Sequence, residues 1–591
     1  MTTTVVIGGG IAGLATAALL AREGHEVHLL EQRSELGGRA GTLTDQGFTF
    51  DTGPSWYLMP RVFDHFFEMM GTSTQEQLDL VDLDPGYRVY SEGSPQAGCT
   101  DIPFGLENVV ETFESLEPGS GEALLDYIDS ARTTSEQAER HFLYNPFTSP
   151  RGLLTAEVLR GLPRLGQLLL TPLRRFIAAR FSHPVLRQIL GYPAVFLGTR
   201  PEDAPAMYHL MSALDLEVGV QYPQGGFSAV VDSIERLARE AGVQITTEAE
   251  VTRILTQDRS RTDGVGGRLR GMRASAGRLL RRYVPAAQSA DRDAEGRGTL
   301  RRGGEVTGVR YRDADGAEHY CPADIVVSGS DLHHTETALL AEADRSYPES
   351  WWSRRISGPG AVLVMLGVRG ELPQLKHHTL FFTADWEANF EAIFGDDPTV
   401  PTPASAYVCK PSATDDDVAP AGHENLFILI PVPADPGIGG GGVAGAGDAQ
   451  IEATADAAID QISRWADIPD LHERIVVRHT MGPGDFQREY HSWRGGMLGP
   501  AHTLRQSAMF RAQNASPAVN GLYYSGASVA PGVGVPMCLI SAELVLKRIR
   551  GDHSSGPLPT AGPLTTKPLT NEPLTAQASP SASEAREGPA R

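Results

Sequence analysis

Gly8-Gly9-Gly10-Ile11-Ala12-Gly13 places glycines at the spacing GxGxxG, and Glu31 follows about twenty residues on. Residues of these types at this spacing suit one task, the holding of a dinucleotide. Gly8 allows a tight turn, Gly10 lets backbone N–H groups approach a pyrophosphate, and Gly13 lets a helix pack closely on a strand. A carboxylate at the Glu31 position accepts hydrogen bonds from the adenosine ribose and repels the extra phosphate of NADP.

The glycine spacing alone also fits an ordinary turn, so the surrounding elements decide. Thr4-Val5-Val6-Ile7 has the apolar run of a buried parallel strand, and Leu14, Ala17, Ala18 and Leu20 follow at helical spacing. Gly24 supplies a left-handed stop before the next strand, His25 to Glu31. Strand, helix, strand and terminal acid occur in the order a βαβ dinucleotide unit requires. A second GxGxxG, at Gly440, Gly442 and Gly445, lacks that context: prolines separate it from Leu426 to Ile430, and the following strand Ile475 to Arg478 ends without an acid. It is expected to be a flexible loop.

Two further glycine segments qualify the first. Leu36-Gly37-Gly38-Arg39-Ala40 and Asp51-Thr52-Gly53-Pro54 lie shortly after Glu31, and the run Gly526-Ala527, Pro531-Gly532, Gly534, Pro536, Ser541-Ala542 precedes and enters an apolar helix. The first of these resembles the GG-doublet motif of the flavin amine oxidase and carotenoid desaturase superfamily. The last is similar to the C-terminal signature of bacterial-type phytoene desaturases. Tyr222 to Gly226, Ala323 to Ser328, Leu375 to Thr379 and Pro411 to Asp415 extend the resemblance over about residues 1–550. Ser528 and Ala530 stand where many such proteins carry Thr and His, so no role tied to that histidine transfers.

The resemblance implies FAD, with the doublet and Arg39 along the diphosphate, Val251 at the adenine, and backbone N–H groups of the C-terminal helix start facing the isoalloxazine. Motif and resemblance together imply a site of Gly8, Gly10, Ile11, Ala12, Gly13, Glu31, Gln32, Gly38, Arg39, Gly53, Pro54, Ser55, Val251, Gly526, Ala527, Val535 and Pro536. The implied fold is α/β, a discontinuous Rossmann-like FAD-binding domain from 1–85, 217–257, 303–335 and 480–550. An α+β substrate domain would come from 86–216 and 336–479, including basic amphipathic helices. The implied activity is dehydrogenation of a long polyene hydrocarbon, phytoene toward lycopene, with quinone or oxygen as electron acceptor. Another carotenoid desaturase, an isomerase, a saturase or a non-catalytic lipid carrier would share the fold.

Composition narrows the partners. The 591 residues carry a net charge of -22, which disfavours nucleic acid. Cys99, Cys321, Cys409 and Cys538 form no CxxC pair, and His333-His334 and His377-His378 would point to opposite faces of a strand, so no metal site is expected. No acid/base triad is apparent either, and catalytic residues stay unassigned, as suits a reaction whose chemistry belongs to the cofactor. No signal-peptide pattern or long apolar run is visible, which predicts a cytoplasmic protein held peripherally at the inner face of the membrane. Arg151, Arg160, Arg164, Arg174, Arg175, Arg180 and Arg187 face the single acid Glu157 among leucines and phenylalanines, a pattern suited to an anionic bilayer surface or to a solvated helix face. The segment 258–302, with 12 Arg against 5 acids, and the Pro/Thr/Ser-rich tail 551–591 are expected to be disordered.

Overall fold

The computed structural model describes residues 1–93, 98–148, 156–257 and 304–560, without the side chains of 156–159. The expected disordered segment 258–302 lies outside the described residues.

A five-stranded, all-parallel sheet carries the glycine loop. Its order is Leu522–Tyr524, Ile325–Ser328, Thr3–Ile7, Glu26–Leu30, Gln244–Thr246. Thr3–Ile7 is central, and Val5 and Val6 are fully buried toward opposite faces, which is why this strand reads as an unbroken apolar run. The helix Ile11–Arg22 follows the loop at once and buries Ile11 through Ala21. It is enclosed by the helices Phe227–Glu240 and Val535–Arg550, so its alanines are there to permit close approach. Sequence segments hundreds of residues apart thus meet on one strand. Beside this layer, Glu250–Gln257 and Gly304–Arg312 pair antiparallel, with Gln257 opposite Glu305, so the chain leaves and re-enters the sheet at adjacent points around residues 258–303.

The second large layer is a seven-stranded mixed sheet, ordered Ile475–Met481, Gly360–Arg369, His423–Val432, Ala406–Cys409, His378–Phe382, Tyr87–Ser91, Thr100–Ile102. Along Gly360–Arg369 side chains alternate between two cores. Ala361, Leu363 and Met365 join one with Phe427 and Tyr407; Val362, Val364 and Leu366 join another with the helix Ala449–Trp465. The first face is the floor of the site described below.

Two expectations are corrected here. The tail expected from residue 551 stays packed to Thr560: Leu558 is buried, its N–H donates to Glu543 Oε1 at 2.7 Å, and the buried Lys547 ammonium donates to the carbonyls of Tyr144, Ser554 and Gly556. A buried cation and a buried acid on one helix need those partners. The second glycine loop is held, not loose. Gly440, Gly441 and Gly442 donate their amides to Asp448, Asp485 and Thr480 at 2.8, 2.6 and 2.9 Å, so the groups a phosphate would use are already occupied.

Candidate active site

The glycine loop crosses the carboxyl end of the central strand. Gly8 has φ +93°, and a Cβ on Gly13 would stand 1.9 Å from the Gly8 carbonyl, so helix and loop pack at a distance that no side chain permits. At Gly10 the nearest protein atom to such a Cβ is 3.8 Å away, which leaves its outer side open to a ligand. Glu31 is buried at the end of its strand. Its carboxylate accepts the Gly9 amide at 2.6 Å and the Arg33 amide at 2.9 Å, and it still borders the cavity.

Gly37 joins the loop through its amide to the Gly9 carbonyl at 2.9 Å, and this brings Arg39 over the helix start. Arg39 donates to Ser492 Oγ at 2.8 Å and lies 3.8 Å from Asp331, yet its buried Nε has no hydrogen-bond partner among the described residues. Gly53 packs so closely on the Arg39 carbonyl, 1.9 Å for a Cβ, that Pro54 and Ser55 are fixed beside it. Gln32 is tied to Glu489 and His491. From the far end of the chain, Gly526 (φ +113°) donates its amide to Ser541 Oγ at 2.9 Å and turns the backbone toward Gly534, after which Val535 and Pro536 open the last helix.

All the site residues expected from the sequence except Gly13 border one cavity of about 650 Å³; Gly13 packs behind the loop. An open helix start, an unpartnered guanidinium nitrogen and a helix N-terminus from the opposite end of the chain fit a diphosphate and a flavin ring. The same cavity is also lined by aromatic and aliphatic side chains, among them Trp56, Tyr192, Phe196, Phe382, Tyr407 and Leu429.

Sequence reading missed the polar groups of this second half. Ser55 Oγ and Tyr407 OH lie 2.6 Å apart, and Tyr407 OH is 2.7 Å from Nδ1 of His378, whose ring stacks on Trp56 at 4.4 Å. Burial holds the His378 pKa well below the ordinary imidazole range. Only Ser55 carried a local signal, its place after Gly53-Pro54. The histidine doublets also behave differently from expectation. His333 and His334 lie in a short helix, and His334 stacks on His491 at 3.9 Å beside the cavity, where burial lowers its pKa to about 4. His377 and His378 do not point apart, because His377 precedes the strand: their rings are 4.6 Å from each other, and one donor atom of each lies within 4.8 Å of Cys409 Sγ.

Residues 11–276 match the family described as flavin-containing amine oxidoreductase. A carotenoid 3,4-desaturase of Haloarcula japonica is 37% identical over 91% of this chain and 96% of its own length. A zeta-carotene-forming phytoene desaturase of Myxococcus xanthus is 31% identical, covering 92% of this chain and 93% of its own. Among solved structures, an oxidoreductase from Methanosarcina mazei shares the fold with TM-score 0.55 over 92% of this chain and all of its own, at 16% identity. Fold, cavity and these likenesses define an FAD-dependent oxidoreductase with an α/β FAD-binding fold. Within that class, the chain belongs to the carotenoid desaturase family of the flavin amine oxidase superfamily. Carotenoid desaturation is the activity that both of these relatives carry.

Proposed function

We propose that this desaturase acts on acyclic polyene hydrocarbon, phytoene toward lycopene, taken from a membrane surface, and that quinone or oxygen removes the electrons. The observation that carries the reading is the continuity of the cavity. One lining includes the Gly526–Ala527 turn, Trp56, Tyr407, Leu165, Leu169, Met509 and Phe510; Met509 and Phe510 are exposed, as are Leu162 and Leu170 on the helix that carries Leu165 and Leu169. Apolar side chains left in water at the mouth of an apolar cavity support exchange with a bilayer. No helix of the described residues is long and apolar enough to cross a membrane. Such docking would be peripheral, at the inner face.

FAD, when bound, supplies a two-electron oxidation. The chain's own residues do the rest. Gly8, Gly10, Ile11, Ala12, Gly38 and Arg39 would hold the diphosphate, Glu31 the ribose and Val251 the adenine. Gly53, Pro54, Ser55, Gly526, Ala527, Val535 and Pro536 would border the ring. Cofactor residues would come from 1–85, 217–257, 303–335 and 480–550, with 86–216 and 336–479 enclosing the polyene. The aromatic walls exclude water and align the chain, while Ser55 and Tyr407 put hydroxyls within a dry site.

The test is anaerobic incubation with phytoene in liposomes, with and without added quinone, and product masses. Loss of two hydrogens per step, dependent on acceptor, is the expected result. Altered geometry at unchanged mass would make the protein an isomerase, and no change with any polyene would make it a carrier. A second reading, 3,4-desaturation of an already conjugated carotenoid, is supported by the Haloarcula relative. Conversion of lycopene but not phytoene would select it.

A further inference from the structure

Arg511 is fully enclosed, 4% exposed, and makes four hydrogen bonds, all to backbone carbonyls. Nε donates to Val529 at 3.0 Å and Nη2 to Ala527 at 2.7 Å; Nη1 donates to Pro500 at 3.1 Å and Gln506 at 3.2 Å. Among the described residues no carboxylate forms an ion pair with it. The neighbouring polar side chains are neutral: Tyr208, whose hydroxyl reaches His502 and Ser507, and His502, which burial and the Arg511 charge hold well below the ordinary imidazole range. Burial lowers the Arg511 pKa to about 10, so it is still a cation at neutral pH.

Four carbonyls are an inefficient way to compensate a buried charge, since each is a dipole and none an anion. They come from two places. Ala527 and Val529 belong to the turn that enters the last helix, whereas Pro500 and Gln506 belong to the segment leading to Ser507, Met509 and Phe510 at the cavity mouth. A planar five-donor fork can join the two; a lysine ammonium cannot reach four carbonyls in one plane. His502 reinforces the junction, because a Cβ on Gly532 would stand 2.1 Å from its ring.

We propose that Arg511 is a positioning residue for the cofactor, holding the Gly526–Val529 turn against the cavity mouth, and that its unneutralised charge raises the flavin reduction potential. The inference rests on the reading that this turn faces the flavin ring. The Arg511 guanidinium is one hydrogen bond, 2.7 Å, behind the cavity-lining Ala527; a cation fixed in a dry site behind the turn would favour the reduced form of a ring that gains negative charge on reduction, in a medium where such interactions are strong.

The experiment uses the FAD-loaded full chain with Arg511→Gln, Arg511→Lys and Ala527→Val. Midpoint potential, FAD dissociation rate and flavin absorbance are read in each. Arg511→Gln should lower the potential and speed FAD loss about tenfold, as fits the removal of charge-assisted hydrogen bonds. Arg511→Lys should keep the potential near wild type while FAD loss still quickens. Ala527→Val should shift the flavin spectrum. A wild-type potential in Arg511→Gln beside a shifted spectrum in Ala527→Val overturns the role of Arg511 alone; an unshifted spectrum in Ala527→Val overturns the placement of the turn. If Arg511→Gln does not fold, sulfite titration of wild type and Arg511→Lys decides. Both should bleach through an N5 adduct that a nearby cation favours, and failure of wild type to bleach rejects the proposal.

Discussion

Glu31 Oε2 accepts the amide of Gly9 at 2.6 Å, so the acid that closes the second strand also holds the glycine loop on the first. Its other oxygen takes the Arg33 amide. Glu31→Ala should therefore cost more than a ribose contact. FAD occupancy, read as the ratio of flavin to protein absorbance, should fall about tenfold, and the apoprotein should lose about 1–3 kcal/mol because a buried amide is left unpaired. Glu31→Gln keeps an acceptor and should lie between the two. Full occupancy in Glu31→Ala would remove this carboxylate from the cofactor site.

Asp215 gives a pH dependence whose sign is fixed. Burial raises its pKa from 3.8 to about 7 even though Tyr87 and Tyr192 both donate to Oδ2, at 3.2 and 2.7 Å. Asp51 is likewise raised to about 7 by burial. The folded state thus holds protons that the unfolded chain releases, and the stability this supplies is complete below about pH 4 and is lost as pH rises through about 7. Asp215→Asn, which can still accept from the tyrosines, should flatten the profile. Urea unfolding should show wild type losing on the order of 2–3 kcal/mol more than the variant between about pH 5 and 8. Parallel profiles would contradict the assignment.

Deletions at the carboxyl end should separate two kinds of tail. Removing 561–591 should leave the melting temperature unchanged, on the low-complexity composition of that segment. Removing 552–591 should destabilise by about 3 kcal/mol, because Leu558 leaves the core and Glu543 and Lys547 lose backbone partners. Equal melting temperatures for both truncations would show that the 552–560 packing contributes nothing.

The basic helices give a graded prediction on vesicles. Arg174 is paired with Glu202 and Glu387, acids supplied from outside the local sequence, and Arg164 is engaged with Ser130 and Gln167. Arg160 and Arg175 are exposed. Reversing Arg160 and Arg175 to Glu should weaken sedimentation with anionic liposomes by about 1 kcal/mol per residue, more than reversing Arg174 alone, with FAD content unchanged. Sedimentation equal to wild type would assign these helices a solvated face instead.

The dinucleotide end of the site was legible because its constraints are local. The turn at Gly8, the close packing at Gly13 and the acid at Glu31 fall within one βαβ unit, where glycine sterics and strand ends are written in consecutive residues. The C-terminal signature was legible for the same reason, as a turn running directly into a helix. The substrate half was not. Tyr407 meets Ser55 across 352 positions, and Arg511 joins the C-terminal signature turn to a segment around Pro500 and Gln506 that looks like plain loop. Alternation along Gly360–Arg369 tells which residues share a face, but not that both faces are covered or by what. Those pairings follow from strand order and sheet register, which depend on closing long loops against the whole core. Local backbone geometry within consecutive residues was enough to read the glycine loop and its closing acid. Which hydroxyls line the rest of the cavity, and which buried cation braces the turn behind it, came from packing, because burial and contact between distant segments exist only once the layers have packed.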